Sequence, residues 1–220
     1  MKVALSVLLF VFINSLSAQQ HLIGIKGGLL SSNVNNLSGS TSLLAVTDNL
    51  NSYSAGITYD FIFKNKITFG FAITYSEKGF TNGMHHPPID CFPKTICFTN
   101  YNLVNQYFSL PIKIGYQFGH KTFFDVHTGV IPSIINHSRM SVKNEDGEWV
   151  GNRAESNHYI NDAEVSLFLD MGVGYRFNNG IRTYLSYRYQ QSVNEIDWWI
   201  EDNKSYIYGL SLTFGIQYEL

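Results

Sequence analysis

Alternation with a period of two, one face of which carries no charge, constrains this chain more than any other feature. Tyr53, Ala55, Ile57, Tyr59 and Phe61 interleave with Ser52, Ser54, Gly56, Thr58 and Asp60. Ile67, Phe69, Phe71, Ile73 and Tyr75 do the same against Thr68, Gly70, Ala72, Thr74 and Ser76. Further runs lie near residues 23–29, 107–116, 124–130, 164–176, 181–190 and 208–218, eight in all. Side chains of a strand point alternately to its two faces, so each run reads as a strand with one apolar and one polar face. No helical periodicity competes with any of them.

The connections alternate too. Short ones fall at 64–66, 119–121 and 178–180, the last an Asn-Asn-Gly hairpin signal. Long polar ones occupy roughly 31–51, 79–103, 136–162 and 191–205. Eight antiparallel strands joined alternately by short turns and long loops predict an all-β, up-and-down transmembrane β-barrel, with the turns periplasmic and the loops extracellular. A soluble lipocalin-like barrel that binds a small hydrophobic ligand is the competing fold, in which the apolar face would line a calyx. Three properties favour the lipid-facing choice. The apolar face has no charge; the other face is rich in Gly, Ser and Thr mixed with charges, which suits the narrow interior of eight strands. The runs also reach the ~9–11 residues that cross a bilayer when tilted.

Composition agrees. Only 15% of residues are charged and 15% are aromatic, against roughly 25% charged in an average soluble domain. Aromatic residues gather at both ends of the runs, as interfacial girdles do. Phe61, Phe63, Tyr116, Phe118, Phe124, Tyr175, Phe177 and Tyr218 fall at the turn end; Tyr53, Tyr75, Phe108, Tyr187, Tyr189 and Tyr208 fall at the loop end. The net charge of −2 gives no footprint for nucleic acid.

Residues 1–18 read as a cleaved signal peptide: Lys2, an apolar run from Val3 to Ile13, then small residues ending at Ala18. Residues 19–220 form the barrel domain. Export to an oxidising compartment makes Cys91 and Cys97 a candidate local disulfide, which would contribute about 2 kcal/mol in the chain-entropy description. A metal site combining them with His85, His86 and Asp90 is the alternative, for which Cys-x5-Cys is a poor zinc spacing.

On the polar face the alternation places Lys26, Lys78, Lys113, Arg176, Arg182 and Arg188 with Asp60, Asp125, Glu164, Asp170 and His127. Buried charges must be paired, so these residues predict an interior charge network that plugs the barrel; a selectivity filter or proton path is the functional alternative. Among the loops, Trp198 and Trp199, flanked by Glu195, Asp197, Glu201 and Asp202, are the candidate contact site, either for a partner or for lipid headgroups.

Several segments resemble the PorT-like outer-membrane β-barrel proteins of the Bacteroidetes group. They are Ile23-Gly24-Ile25-Lys26-Gly27-Gly28-Leu29, Tyr75-Ser76-Glu77-Lys78-Gly79-Phe80, Leu110-Pro111-Ile112-Lys113-Ile114-Gly115-Tyr116, Asp170-Met171-Gly172-Val173-Gly174-Tyr175 and Leu212-Thr213-Phe214-Gly215-Ile216-Gln217-Tyr218. The resemblance implies an outer-membrane barrel, in some members tied to secretion or gliding, with no catalytic residues to transfer.

The sequence contains no Gly-x-Ser-x-Gly, His-Glu-x-x-His, P-loop or dinucleotide fingerprint. The expected function is therefore non-enzymatic: a plugged outer-membrane barrel without cofactor that binds a partner or serves an envelope or secretion complex, in contact with outer-membrane lipid. The alternative is a barrel enzyme acting on lipid or peptide, with Asp125 and His127 as its acid–base pair.

Overall fold

The structure is a computed structural model that describes residues 20–36, 47–84, 100–143, 149–154, 163–194 and 205–220. Ten strands appear: β1 (Gln20–Asn36), β2 (Asp48–Ile62), β3 (Ile67–Met84), β4 (Asn100–Ser109), β5 (Ile112–Gly119), β6 (Thr122–Lys143), β7 (Trp149–Ala154), β8 (Ala163–Arg176), β9 (Ile181–Ser192) and β10 (Ser205–Glu219). Every pairing is antiparallel, and β2–β3 and β1–β10 contacts close the sheet into a ring. Nine segments make the ring, but β4 and β5 lie in line between β3 and β6. The barrel therefore has eight crossings. The remaining strand, β7, pairs with β6 beyond the ring.

Pro111 divides the fourth crossing because it has no N–H to give the ladder. The break is bridged on both sides: Ala72 N–H donates to Pro111 O at 3.0 Å, and Leu110 N–H donates to Pro132 O at 2.9 Å.

The apolar face points outward. Ile25, Leu29, Ile57, Ile73, Leu167, Leu185 and Phe214 are exposed, while Thr58, Thr74, Ser166, Ser186 and Thr213 on the opposite parity are buried. Leu29 reaches 71% exposure and Ile57 59%. In water each large apolar side chain left out this way forfeits about 1.5–3 kcal/mol of burial, so a continuous band of them requires lipid. A calyx lined by the apolar face is excluded. Placing a charge in the middle of the band, as in Ile57→Lys, is expected to lower barrel stability by about 2–4 kcal/mol, read from urea unfolding in lipid vesicles. Unchanged stability would mean that Ile57 does not face hydrocarbon.

Ring contacts mark the band's edges. Tyr53–Tyr75 at 6.2 Å and Tyr75–Phe108 at 5.7 Å lie at the loop end. Tyr116–Phe118 at 4.8 Å and Tyr175–Phe177 at 5.0 Å lie at the turn end. Phe61 sits less freely than its parity suggests, covered by His21, Tyr59 and Phe69.

The strands outrun the alternation at the loop end. Segments 31–36, 48–51, 79–84, 100–103 and 136–143, expected as loop, continue as paired strand. Apolar alternation stops where lipid stops, whereas backbone pairing is indifferent to it. In β6 the crossing passes a bulge: Tyr107 pairs Ile135 and Gln106 pairs His137, which leaves Asn136 unopposed. The extra residue flips the parity, so Ser133 and then Ser138 are the buried ones.

Candidate functional site

The lumen is the site that the barrel builds, and register explains how eight strands hold so much charge. Lys26 pairs with Gly56 on one side and Gly215 on the other. Lys113 pairs with Gly70 and Gly129, and Tyr184 with Gly174 and Gly215. Each of these three long inward side chains thus lies between glycines on both neighbouring strands. The glycines leave the space on either side of these chains free in a narrow interior.

From the turn end upward, the first layer is apolar. Leu22, Ile62 and Phe123 are buried there, and the Arg182 guanidinium lies 4.2 Å from the centre of the Phe123 ring. Above it, Lys113 Nζ meets Asp60 Oδ2 at 2.9 Å, reaching over Gly70, and Gln217 Nε2 donates to the same oxygen at 2.6 Å. Arg188 donates through Nη2 at 2.6 Å and Nε at 3.0 Å to Asp170 Oδ2, with its guanidinium 4.3 Å from the Phe168 ring.

A cavity of about 40 Å³ lies among these groups, touching Lys26, Asp125 and His127 as well. Asp60 Oδ1, Asp125 Oδ1, Asp170 Oδ1 and Arg182 Nε and Nη1 are buried without a side-chain or backbone partner. The cavity has space for about three waters at 10–15 Å³ each, enough to bridge such groups. A second cavity of about 30 Å³ begins at Lys26 and Arg188 and runs toward Lys78.

The layer nearest the loops closes the lumen. Lys78 Nζ on β3 bonds Glu164 Oε1 on β8 at 2.8 Å, and Ser166 Oγ donates to that oxygen at 2.6 Å. These strands are not neighbours, so the pair crosses the lumen; the ammonium lies 4.7 Å from the centre of the Tyr107 ring on the way. Leu30, Phe80, Leu103 and Ile207 are buried around it. The lumen therefore has a polar, charged middle between two apolar closures.

The structure brings Lys78 to Glu164, Lys113 to Asp60 and Arg188 to Asp170, and puts Lys26, Asp125, His127 and Arg182 around the lower cavity. Arg176 is the exception among the expected interior charges. It lies at the turn-end rim, 39% exposed, and pairs with Glu219 at 2.7 Å. Its parity is inward, but its position as the last residue of β8 takes it past the closed lumen. Cys91, Cys97, Trp198, Trp199, His85, His86, Asp90 and the signal segment lie outside the described residues. Among the described residues no cluster of three or more His, Cys, Asp or Glu side chains is disposed to hold a metal ion.

Sequence reading missed Phe80, Phe123 and Ile207 as lumen residues; Tyr107, Phe168 and Gln217 fell on its inward face but were not singled out as site residues. The signal was present in part: Tyr107 and Phe168 are aromatic interruptions of an otherwise polar face.

Neither a protein-family model nor a curated protein matches the chain. Solved structures of similar overall course include Neisserial surface protein A, at 14% identity and a TM-score of 0.48, covering 91% of this chain and 97% of that one. The outer membrane protein OprG from Pseudomonas aeruginosa follows at 11% identity and a TM-score of 0.48, covering 92% and 97%. Ail, the attachment invasion locus protein of Yersinia pestis, matches at 12% identity and a TM-score of 0.43, covering 91% and 100%.

Proposed function

We propose that this chain is a non-enzymatic outer-membrane barrel of the PorT-like kind, which serves an envelope or secretion complex through its loop end while its sealed body acts as an anchor. The observation that carries this reading is the lumen: charge layers at Asp60–Lys113, Asp170–Arg188 and Lys78–Glu164 lie between two apolar closures. A transport role needs a wide continuous path, and two cavities of only about 40 and 30 Å³ that meet at Lys26 and Arg188 argue against one. Asp125 and His127 line the narrow lower cavity and not the loop surface, which argues against their acting on a lipid or peptide substrate. The strand extensions beyond the lipid band give the loop end a raised base of paired strand, which suits a binding surface.

Reconstituted into a planar bilayer, the barrel is expected to insert without sustained conductance of the size an open lumen would give. Steady large steps from the purified chain would overturn the plugged-anchor reading. Deleting residues 195–204 is expected to leave the barrel folded, because that segment lies outside the β9–β10 ladder. The native complex extracted from the membrane should then shrink to the size of the barrel alone. A complex of unchanged size would remove this loop from the binding surface.

A further inference from the structure

The turn-end rim carries charge that the lumen does not use. Lys64 and Lys66 lie in the β2–β3 turn, His120 and Lys121 in the β5–β6 turn, and Arg176 at the end of β8. Of these, Arg176 is engaged by Glu219 at 2.7 Å. A pocket of about 370 Å³ opens between the β5–β6 and β8–β9 turns, walled by His120 and Lys121 from one and by Arg176, Phe177 and Asn178 from the other.

The depth of this pocket is set by its neighbours. The Lys121 ammonium lies 5.6 Å from the centre of the Tyr175 ring, and Tyr175 and Phe177 are exposed members of the turn-end girdle. A cation held over the outer face of an interfacial aromatic ring sits where lipid phosphates sit. Lys121 is also fixed from behind, because Arg176 N–H donates to its carbonyl at 2.8 Å. The pocket therefore offers cations at the level of the turn-end girdle, with Phe177 in its wall and Tyr175 packed against Phe177 as an exposed apolar surface for an acyl chain.

We propose that this rim pocket binds the phosphodiester headgroup of an anionic phospholipid of the inner leaflet, with Lys121 and His120 on the phosphate, Arg176 beside them and the chain against Tyr175 and Phe177. The inference rests on the membrane-spanning reading. Extraction of reconstituted vesicles with alkaline carbonate tests that reading separately, since a barrel that washes off does not span.

The test is native mass spectrometry of the purified full chain with phosphatidylglycerol or phosphatidylcholine added, with and without inorganic phosphate. Wild type is expected to retain phosphatidylglycerol over phosphatidylcholine. The double variant His120→Ala/Lys121→Ala should reduce that preference by about fivefold or more, the change expected for losing a basic group at a membrane surface. Lys64→Ala/Lys66→Ala removes charge from a different turn and should leave it intact. Equal loss in both variants would reduce the effect to net charge and overturn the site. Equal retention of the two lipids would overturn it as well. Displacement of the lipid by millimolar inorganic phosphate would assign the pocket to free phosphate and overturn the lipid reading.

Discussion

Replacing Lys78 with Met is expected to destabilise the barrel by about 3–5 kcal/mol, the cost of stranding one member of a buried ion pair. Lys78 and Glu164 are 2% and 4% exposed and 2.8 Å apart, so bulk solvent does not stand in for the ammonium. Glu164 would keep the Ser166 hydroxyl on Oε1 and the neighbouring Tyr107 hydroxyl, neither of which carries a compensating charge. Glu164→Gln alone strands the Lys78 ammonium in turn, but should cost less, because the amide oxygen can still accept a hydrogen bond from Nζ. The double variant Lys78→Met/Glu164→Gln should recover much of the loss, since two neutral side chains of similar volume can fill the same space. The measurement is a double-mutant cycle on urea unfolding in lipid vesicles. Additive effects of the two substitutions would show that the pair does not act as a unit. The same variants report on the loop-side closure: if the Lys78–Glu164 chord blocks the lumen, the single variants should raise the open probability in a planar bilayer, and the recovered double variant should not.

That ion pair also shows where sequence reading ends. Parity was legible: Ile57 outward and Thr58 inward, Leu167 outward and Ser166 inward, follow from alternation alone, because the bilayer outside and the narrow lumen inside demand opposite chemistries. The closed eight-crossing ring follows from the alternating connection lengths. Pairing was not legible. Lys78 and Glu164 are separated by 86 positions and by two intervening crossings, and their meeting depends on register and side-chain reach that no local pattern encodes. The apolar closures were hidden for a related reason, because Leu22, Phe80, Phe123 and Ile207 stand at inward positions beyond the stretches where polar parity is continuous. Strand ends failed as well: alternation records lipid contact, and β1, β3 and β6 continue after that contact is lost. Arg176 was misplaced because parity says which way a residue faces, not how far along the axis the lumen extends.

Gly70→Val is expected to abolish the folded barrel, whereas Gly27→Ala on the lipid face should be close to neutral. The two glycines differ in what lies beside them. Gly70 pairs with Asp60 on one strand and Lys113 on the other, and the ion pair between those residues passes over it at 2.9 Å. A Cβ there would land on the Asp60 carboxylate and within 2.8 Å of Lys113 Cε. A Cβ at Gly27 would meet only Ser54 O, at an ordinary 3.7 Å. Valine at position 70 therefore overpacks the lumen, at about 1–3 kcal/mol. It also parts a buried ion pair, at about 3–5 kcal/mol, and Gln217 loses the Asp60 oxygen to which it donates. The sum is comparable with the whole stability of a domain, about 5–15 kcal/mol. Folded barrel should be scored from unheated gel mobility and protease resistance of the membrane fraction, where the Gly70 variant is expected to run as unfolded chain and the Gly27 variant as wild type. A Gly70→Val protein that folds normally would mean that the Asp60–Lys113 bridge does not pass over this glycine, and the layered lumen would have to be redrawn from that point.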